Sequence, residues 1–221
     1  MEEITELTLL SPEEVRVLGS LLEKSKTTPE YYPMTLNGLQ SACNQKSSRK
    51  PVVQYDENLI LTILDQLRKK GLISTVVGGG SRVTKYKHNL AIKYPLLPEE
   101  TAILCLLFLR GPLTIGEIKN NSTRLFDFES LSEIKILLDK LSNDSPAFVR
   151  EIPKGPGQKE ARYIHLFNIL TEDQIAEFNN ADHHLISSNN SSKELEQRVT
   201  LLEAQLFELK AEFDKLMKEL T

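Results

Sequence analysis

The sequence predicts an α+β, mainly helical chain: two tandem winged-helix domains followed by a C-terminal coiled-coil helix. Three observations carry that prediction. Three apolar-periodic helical segments and then two β-branched strands occur twice, roughly ninety residues apart, a period too long for a solenoid repeat. A stretch rich in Asn, Ser, Asp and His follows the second copy. Beyond it, apolar residues step by four and three without interruption, the pattern of a coiled-coil seam. The implied boundaries are 1–94 and 95–167 for the two winged-helix domains, 168–192 for a flexible linker and 193–221 for the coiled coil.

Ser11-Pro12-Glu13-Glu14 has the form of a helix start, with a Ser cap, Pro at the first helical position and Glu three residues after the cap. Val15, Leu18, Leu21 and Leu22 then recur at helical spacing to about Lys24, before Thr28-Pro29 and Tyr32-Pro33 break the pattern. A short helix is expected from Thr35 or Leu36 to about Asn44, and a polar, basic loop from Gln45 to Val53. Asp56 caps a third helix with Leu59, Ile60, Ile63, Leu64 and Leu67 inward, and Gly71 stops it. Leu72–Val77 and Arg82–His88 read as strands around the turn at Gly78-Gly79-Gly80-Ser81.

The second copy starts at Pro98-Glu99-Glu100 and runs through Leu109, with Gly111-Pro112 ending the helix. Thr114 caps a short helix to about Asn121. Ser130 caps another with Leu131, Ile134, Leu137, Leu138 and Leu141 inward. Ala147–Ile152 and Ala161–Phe167 are the expected strands, around a turn from Lys154 to Lys159. In the C-terminal segment Leu195, Leu202, Leu209 and Leu216 occupy d positions, and Val199, Leu206, Phe213 and Leu220 occupy a. So strict a two-in-seven pattern favours a helical partner over folding back on a domain. A homodimer is the expectation, with strand number and orientation open.

Composition sets the class. With 40% hydrophobic and 26% charged residues the chain of 221 reads as globular. Its opening residues are acidic where a secretory signal is basic. The longest apolar run, Ala102–Leu109, is too short to span a bilayer. Cys43 and Cys105 sit in apolar patterns without metal-ligand spacing, as buried reduced thiols do. A cytoplasmic protein with no membrane association and no cofactor is expected. The net charge of −4 is uneven: residues 31–94 hold three acids and ten bases, whereas residues 168–221 hold eleven acids and five bases. A nucleic-acid surface belongs to the former.

Specific strings resemble the YceH family of bacterial proteins. They are Glu14-Val15-Arg16-Val17-Leu18-Gly19 through Leu22-Glu23-Lys24, Thr28-Pro29-Glu30-Tyr31-Tyr32-Pro33, Asn37-Gly38, Ala42-Cys43-Asn44-Gln45-Lys46, Gly80-Ser81-Arg82-Val83-Thr84-Lys85-Tyr86, and Pro156-Gly157-Gln158-Lys159-Glu160 through Arg162-Tyr163. The similarity covers about residues 11–167, and the C-terminal heptads lie outside it. The resemblance implies a tandem winged-helix fold in a bacterial, cytoplasmic setting and assigns no catalytic or ligand residue.

Enzyme chemistry finds no support in the spacing. Gly78-Gly79-Gly80-Ser81-Arg82 lacks the Gly-Lys-Ser/Thr ending of a phosphate loop and precedes a strand. His183-His184 are adjacent, which does not put both rings on one helical face. His88 and His165 end strands and read as structural. Glu13-Glu14 and Glu99-Glu100 sit in first helical turns, where the helix dipole accounts for them.

Two non-enzymatic functions remain open. The first is DNA binding, as in a dimeric transcriptional regulator. Here Asn58 and Thr62 of the third helix read base edges, and Lys69, Lys46, Arg49, Lys50 and Arg82 meet phosphates. Asp65 on the same face is unfavourable unless it faces a cytosine amino group. In the second domain Lys154, Lys159 and Arg162 surround the wing turn, diluted by Glu151 and Glu160. The second function is an interaction scaffold resembling segregation and condensation protein B. It is favoured by overall acidity and by an outward Ile136 beside Asp139, which suits a protein partner.

Overall fold

A computed structural model describes residues 6–77, 83–154 and 160–168. The chain divides into two units, Met1–Ile169 and Leu170–Thr221. The second unit, with the expected linker and coiled coil, lies outside the described residues, as do Arg82 and Lys159.

The first unit is a mixed α+β structure. Helices α1 (Pro12–Thr27), α2 (Leu36–Cys43) and α3 (Glu57–Lys69) are followed by strands β2 (Ile73–Val76) and β3 (Lys85–His88), with a short β1 (Met34–Thr35) before α2. A one-turn helix α4 (Leu90–Lys93) leads into α5 (Pro98–Arg110), α6 (Ile115–Ser122) and α7 (Leu131–Asn143), and then β4 (Val149–Ile152) and β5 (Arg162–His165). The first sheet is antiparallel in the order β1-β3-β2, with Ile73 opposite His88 and Met34 opposite Tyr86. The second pairs β4 with β5, Val149 opposite His165. The strands are shorter than expected. The sequence reading missed β1, α4 and a 3-10 turn at Pro29–Tyr31, each too brief to show a period.

Local chemistry sets the helix ends. The Ser11 hydroxyl accepts from Glu14 N, and Glu14 Oε2 accepts from Ser11 N at 2.7 Å, closing a capping box. Thr114 closes a second capping box with Glu117, and the side chains of Thr35, Asp56 and Ser130 accept from the backbone N–H three residues on. Gly71, at φ 72°, ends α3 in the left-handed region that a side chain disfavours.

The two halves repeat one another in detail. In each, the glutamate three residues after the cap of the first helix is buried and bound to a lysine at the end of the third. Glu14 takes Lys70 Nζ at 2.6 Å, and Glu100 takes Lys140. Residues just before the second helix pair with the last strand in both, Met34–Thr35 with β3 and Leu113 with Tyr163 of β5. Each last strand ends on a histidine, His88 and His165.

The halves share one core. Helix α1 is buried from Glu14 to Leu22, not along one stripe, because α2 and α3 cover one side and α5 the other. Lys50 N donates to Leu109 O, and Leu10 N to Phe167 O. Tyr94, Phe108, Phe148 and Phe167 form an aromatic cluster, with Tyr94 edge-on to Phe148 and Phe167. Two residues expected inward are exposed instead: Leu59 (38%) and Leu131 (53%). Both lie in the first turn of their helix, where the neighbouring elements do not reach over the predicted stripe.

Candidate nucleic-acid interface

The third helix sets the geometry of the candidate site. Burying Ile60, Ile63, Leu64 and Leu67 leaves Asn58, Thr62, Asp65 and Lys69 along the opposite stripe, spaced four, three and four residues apart as one helical face requires. Asn58 and Thr62 are exposed, and the Thr62 hydroxyl donates to Asn58 O at 3.0 Å. The carboxylate that sequence alone marks as unfavourable is neutralised. Asp65 takes Lys69 Nζ at 2.7 Å and Arg68 Nη2 at 2.7 Å, and those hydrogen bonds, Lys69 first, hold its pKa below the ordinary value. Together the three side chains leave one net positive charge on this turn. Arg68, exposed beside Lys69, is a cation of this face that the sequence reading omitted. Its position one residue before Lys69 falls off the strict stripe.

The loop between α2 and α3 corrects one expectation. Lys46 and Lys50 are exposed, as a phosphate contact requires, but Arg49 is not. Its side chain is fully buried, bound to Glu23 through Nη1 at 3.0 Å and Nη2 at 2.6 Å, and it donates to Ala42 O from Nε and Nη2. A guanidinium satisfied in this way has no donor to spare for DNA. Burial pushes the Glu23 carboxyl up, but the Arg49 hydrogen bonds and charge outweigh it, with Lys24 adding to them, so its pKa lies below the ordinary range. Arg16, also buried, donates to Cys43 O and, at 2.5 Å, to Pro51 O. Two inward arginines therefore pin the loop and leave the lysines outside.

The second half offers fewer cations. Lys154 is exposed, but Arg162 donates to Glu117 Oε2 at 2.9 Å and to Pro112 O at 3.0 Å. This bond ties β5 to α6 and removes Arg162 from the expected wing cluster. On α7, Lys135 is drawn into an acidic network. It lies 2.8 Å from Asp139, 2.7 Å from Tyr163 Oη and 3.4 Å from Glu151, and Tyr163 donates to Glu151 at 2.7 Å. Ile136 beside it is 68% exposed.

Both cysteines are free and buried. Burial raises both thiols, Cys43 to about 11. His88 and His165 are each lowered to about 4, by burial and, for His88, also by the Lys26 charge. Among the described residues no group of three or more His, Cys, Asp or Glu is placed to hold a metal, and no helix is long and apolar enough to cross a membrane.

The fold and surface define a mixed α+β protein of two similar halves, each three helices and a β-ribbon, joined through a common core. Residues 10–158 match a family described as a protein of unknown function, DUF480, and the chain belongs to it. A UPF0502 protein of Shewanella loihica is 43% identical over 212 residues, covering 94% of this chain and 98% of its own. One from Shewanella sp. strain ANA-3 is 43% identical over 221 residues, 98% of this chain and all of its own. One from Citrifermentans bemidjiense is 50% identical over 155 residues, 70% of this chain and 72% of its own. Most of the strings that resembled the YceH family fall inside the matched stretch. The Shewanella matches also run on into the C-terminal heptads, farther than those strings reached.

Proposed function

We propose that this chain is a non-enzymatic DNA-binding protein, a transcriptional regulator in which two winged helices stand in tandem and the C-terminal heptads pair two copies. The observation that carries the reading is the outer stripe of α3. Asn58 and Thr62 are exposed, where the amide and the hydroxyl oxygen can meet base edges, and Asp65 is cancelled by Arg68 and Lys69, so the turn carries net positive charge toward a phosphate. The exposed Lys46 and Lys50 supply further backbone contacts. Two chains held by a coiled coil would present two such helices to two half-sites.

The second half serves a different role in this proposal. Its α7 cation is spent on Asp139 and Glu151, and the apolar Ile136 stands in the open. That face suits a protein partner, and it is the feature that favours the alternative reading of an interaction scaffold.

Electrophoretic retardation of random duplex DNA at 50 and 200 mM salt separates the two. With about four phosphates neutralised, affinity falls ~100-fold across that range. A Lys46/Lys50/Lys69→Glu variant, which spares the structural Arg49, loses retardation. Absence of retardation by the wild type at either salt would replace the regulator with the scaffold.

A further inference from the structure

We infer that the cleft where α1, the Ser48 loop, α5 and α6 meet is a binding site for a small organic anion. The cleft holds about 200 Å³, less than the ~300–1,000 Å³ of drug-sized ligand sites and the share of about six or seven waters at ~30 Å³ each. That is the scale of a compact metabolite.

Its wall carries two guanidinium groups, Arg110 and Arg124. Neither has a carboxylate within ion-pair distance among the described residues. Arg110 is half-buried and donates to Ser48 Oγ at 2.9 Å, which holds its planar fork in place at the rim. Arg124, also in the lining, is exposed. The two carboxylates whose charge reaches Arg110 are Glu23, bound by Arg49 and Lys24, and Glu117, bound by Arg162, so cations outnumber acids around the cleft. Ser48 and Thr123, both exposed, add hydroxyl groups to the lining, and Asn120 and Asn121 add amides. Leu106 and Leu125 give the cleft an apolar side.

A guanidinium fork recognises carboxylate and phosphate oxygens bidentately, two of them line this cleft, and the neighbouring hydroxyls suit the hydroxyl-bearing body of such an anion. The site makes no use of the α3 face, so its test stands apart from the DNA reading.

Isothermal titration of the full-length chain with glycerol 3-phosphate and with L-malate decides the matter. The expected result is saturable binding of at least one probe with Kd at or below about 1 mM. Arg124→Gln, at an exposed position, weakens it at least tenfold while leaving the thermal midpoint unchanged, and Arg124→Lys retains part of it. Binding of the phosphate alone or of the dicarboxylate alone identifies which anion the forks prefer. Failure of both probes to bind below 10 mM, or equal binding by Arg124→Gln, overturns the site.

Discussion

A Cβ built on Gly19 of α1 would stand 2.9 Å from the Phe108 Cβ of α5 and 3.0 Å from Leu109 Cδ2. The two helices approach so closely because one of them has no side chain at the crossing, and through that crossing the halves acquire a common core.

Gly19→Ala is therefore expected to destabilise the protein. Replacing glycine in a helix gains about 1 kcal/mol, but Phe108 Cβ cannot yield without moving its backbone, and overpacking costs about 1–3 kcal/mol. The net loss is up to about 2 kcal/mol in urea denaturation. Gly116→Ala, whose new methyl would meet nothing nearer than 3.9 Å, is neutral or slightly stabilising. Equal effects at the two positions would contradict the close packing of α1 on α5.

Glu23→Gln is expected to cost about 3–5 kcal/mol, because it leaves the fully buried Arg49 guanidinium without its counter-charge. Lys46→Gln, at an exposed position in the same loop, changes stability by less than about 0.5 kcal/mol. Guanidinium denaturation of both variants measures the contrast, and a mild Glu23→Gln would return Arg49 to the solvent-facing role that the sequence suggests.

Acidification destabilises the fold through its histidines. His88 and His165 titrate near 4 when folded and at their ordinary value of 6.5 when unfolded. Between those values the unfolded chain holds more protons, so stability rises with pH across that window and is complete above about 6.5. Each histidine contributes about 2 kcal/mol of difference between pH 7.5 and pH 5. Denaturation at the two pH values measures it. His165→Leu is expected to remove one histidine's share of the slope, and an unchanged slope would show that His165 is protonated in the native state.

Light scattering tests the pairing proposed for the heptads. Full-length protein is expected to run as a dimer and a chain ending at Asn190 as a monomer. Monomers in both cases would mean that the seam from Leu195 to Leu220 grips another protein or none.

Sequence and structure divide the account along physical lines. Features encoded within one turn of chain were legible: the caps at Ser11, Asp56, Thr114 and Ser130, the Gly71 stop, and the outward positions of Asn58, Thr62 and Ile136. They depend on the helical repeat and on hydrogen bonds between residues three apart. The family too was legible, because strings such as Ala42–Lys46 are local text.

Whether a charged side chain points to solvent or to a distant partner was not legible. Arg49 looks like Lys46 and Lys50 in the sequence, yet its partner Glu23 lies twenty-six residues away on α1. Arg162 is likewise claimed by Glu117, forty-five residues back. Burial of both sides of α1 and the arginine-lined cleft at its end arise only when α5 and α6 are folded against it. The chain by itself determined its six longer helices, the places of the four strands β2 to β5 and the stripe that α3 turns outward. The tertiary structure alone decided which cations are free and which are consumed, since ion pairing depends on distance in space and a periodic pattern records only distance along the chain.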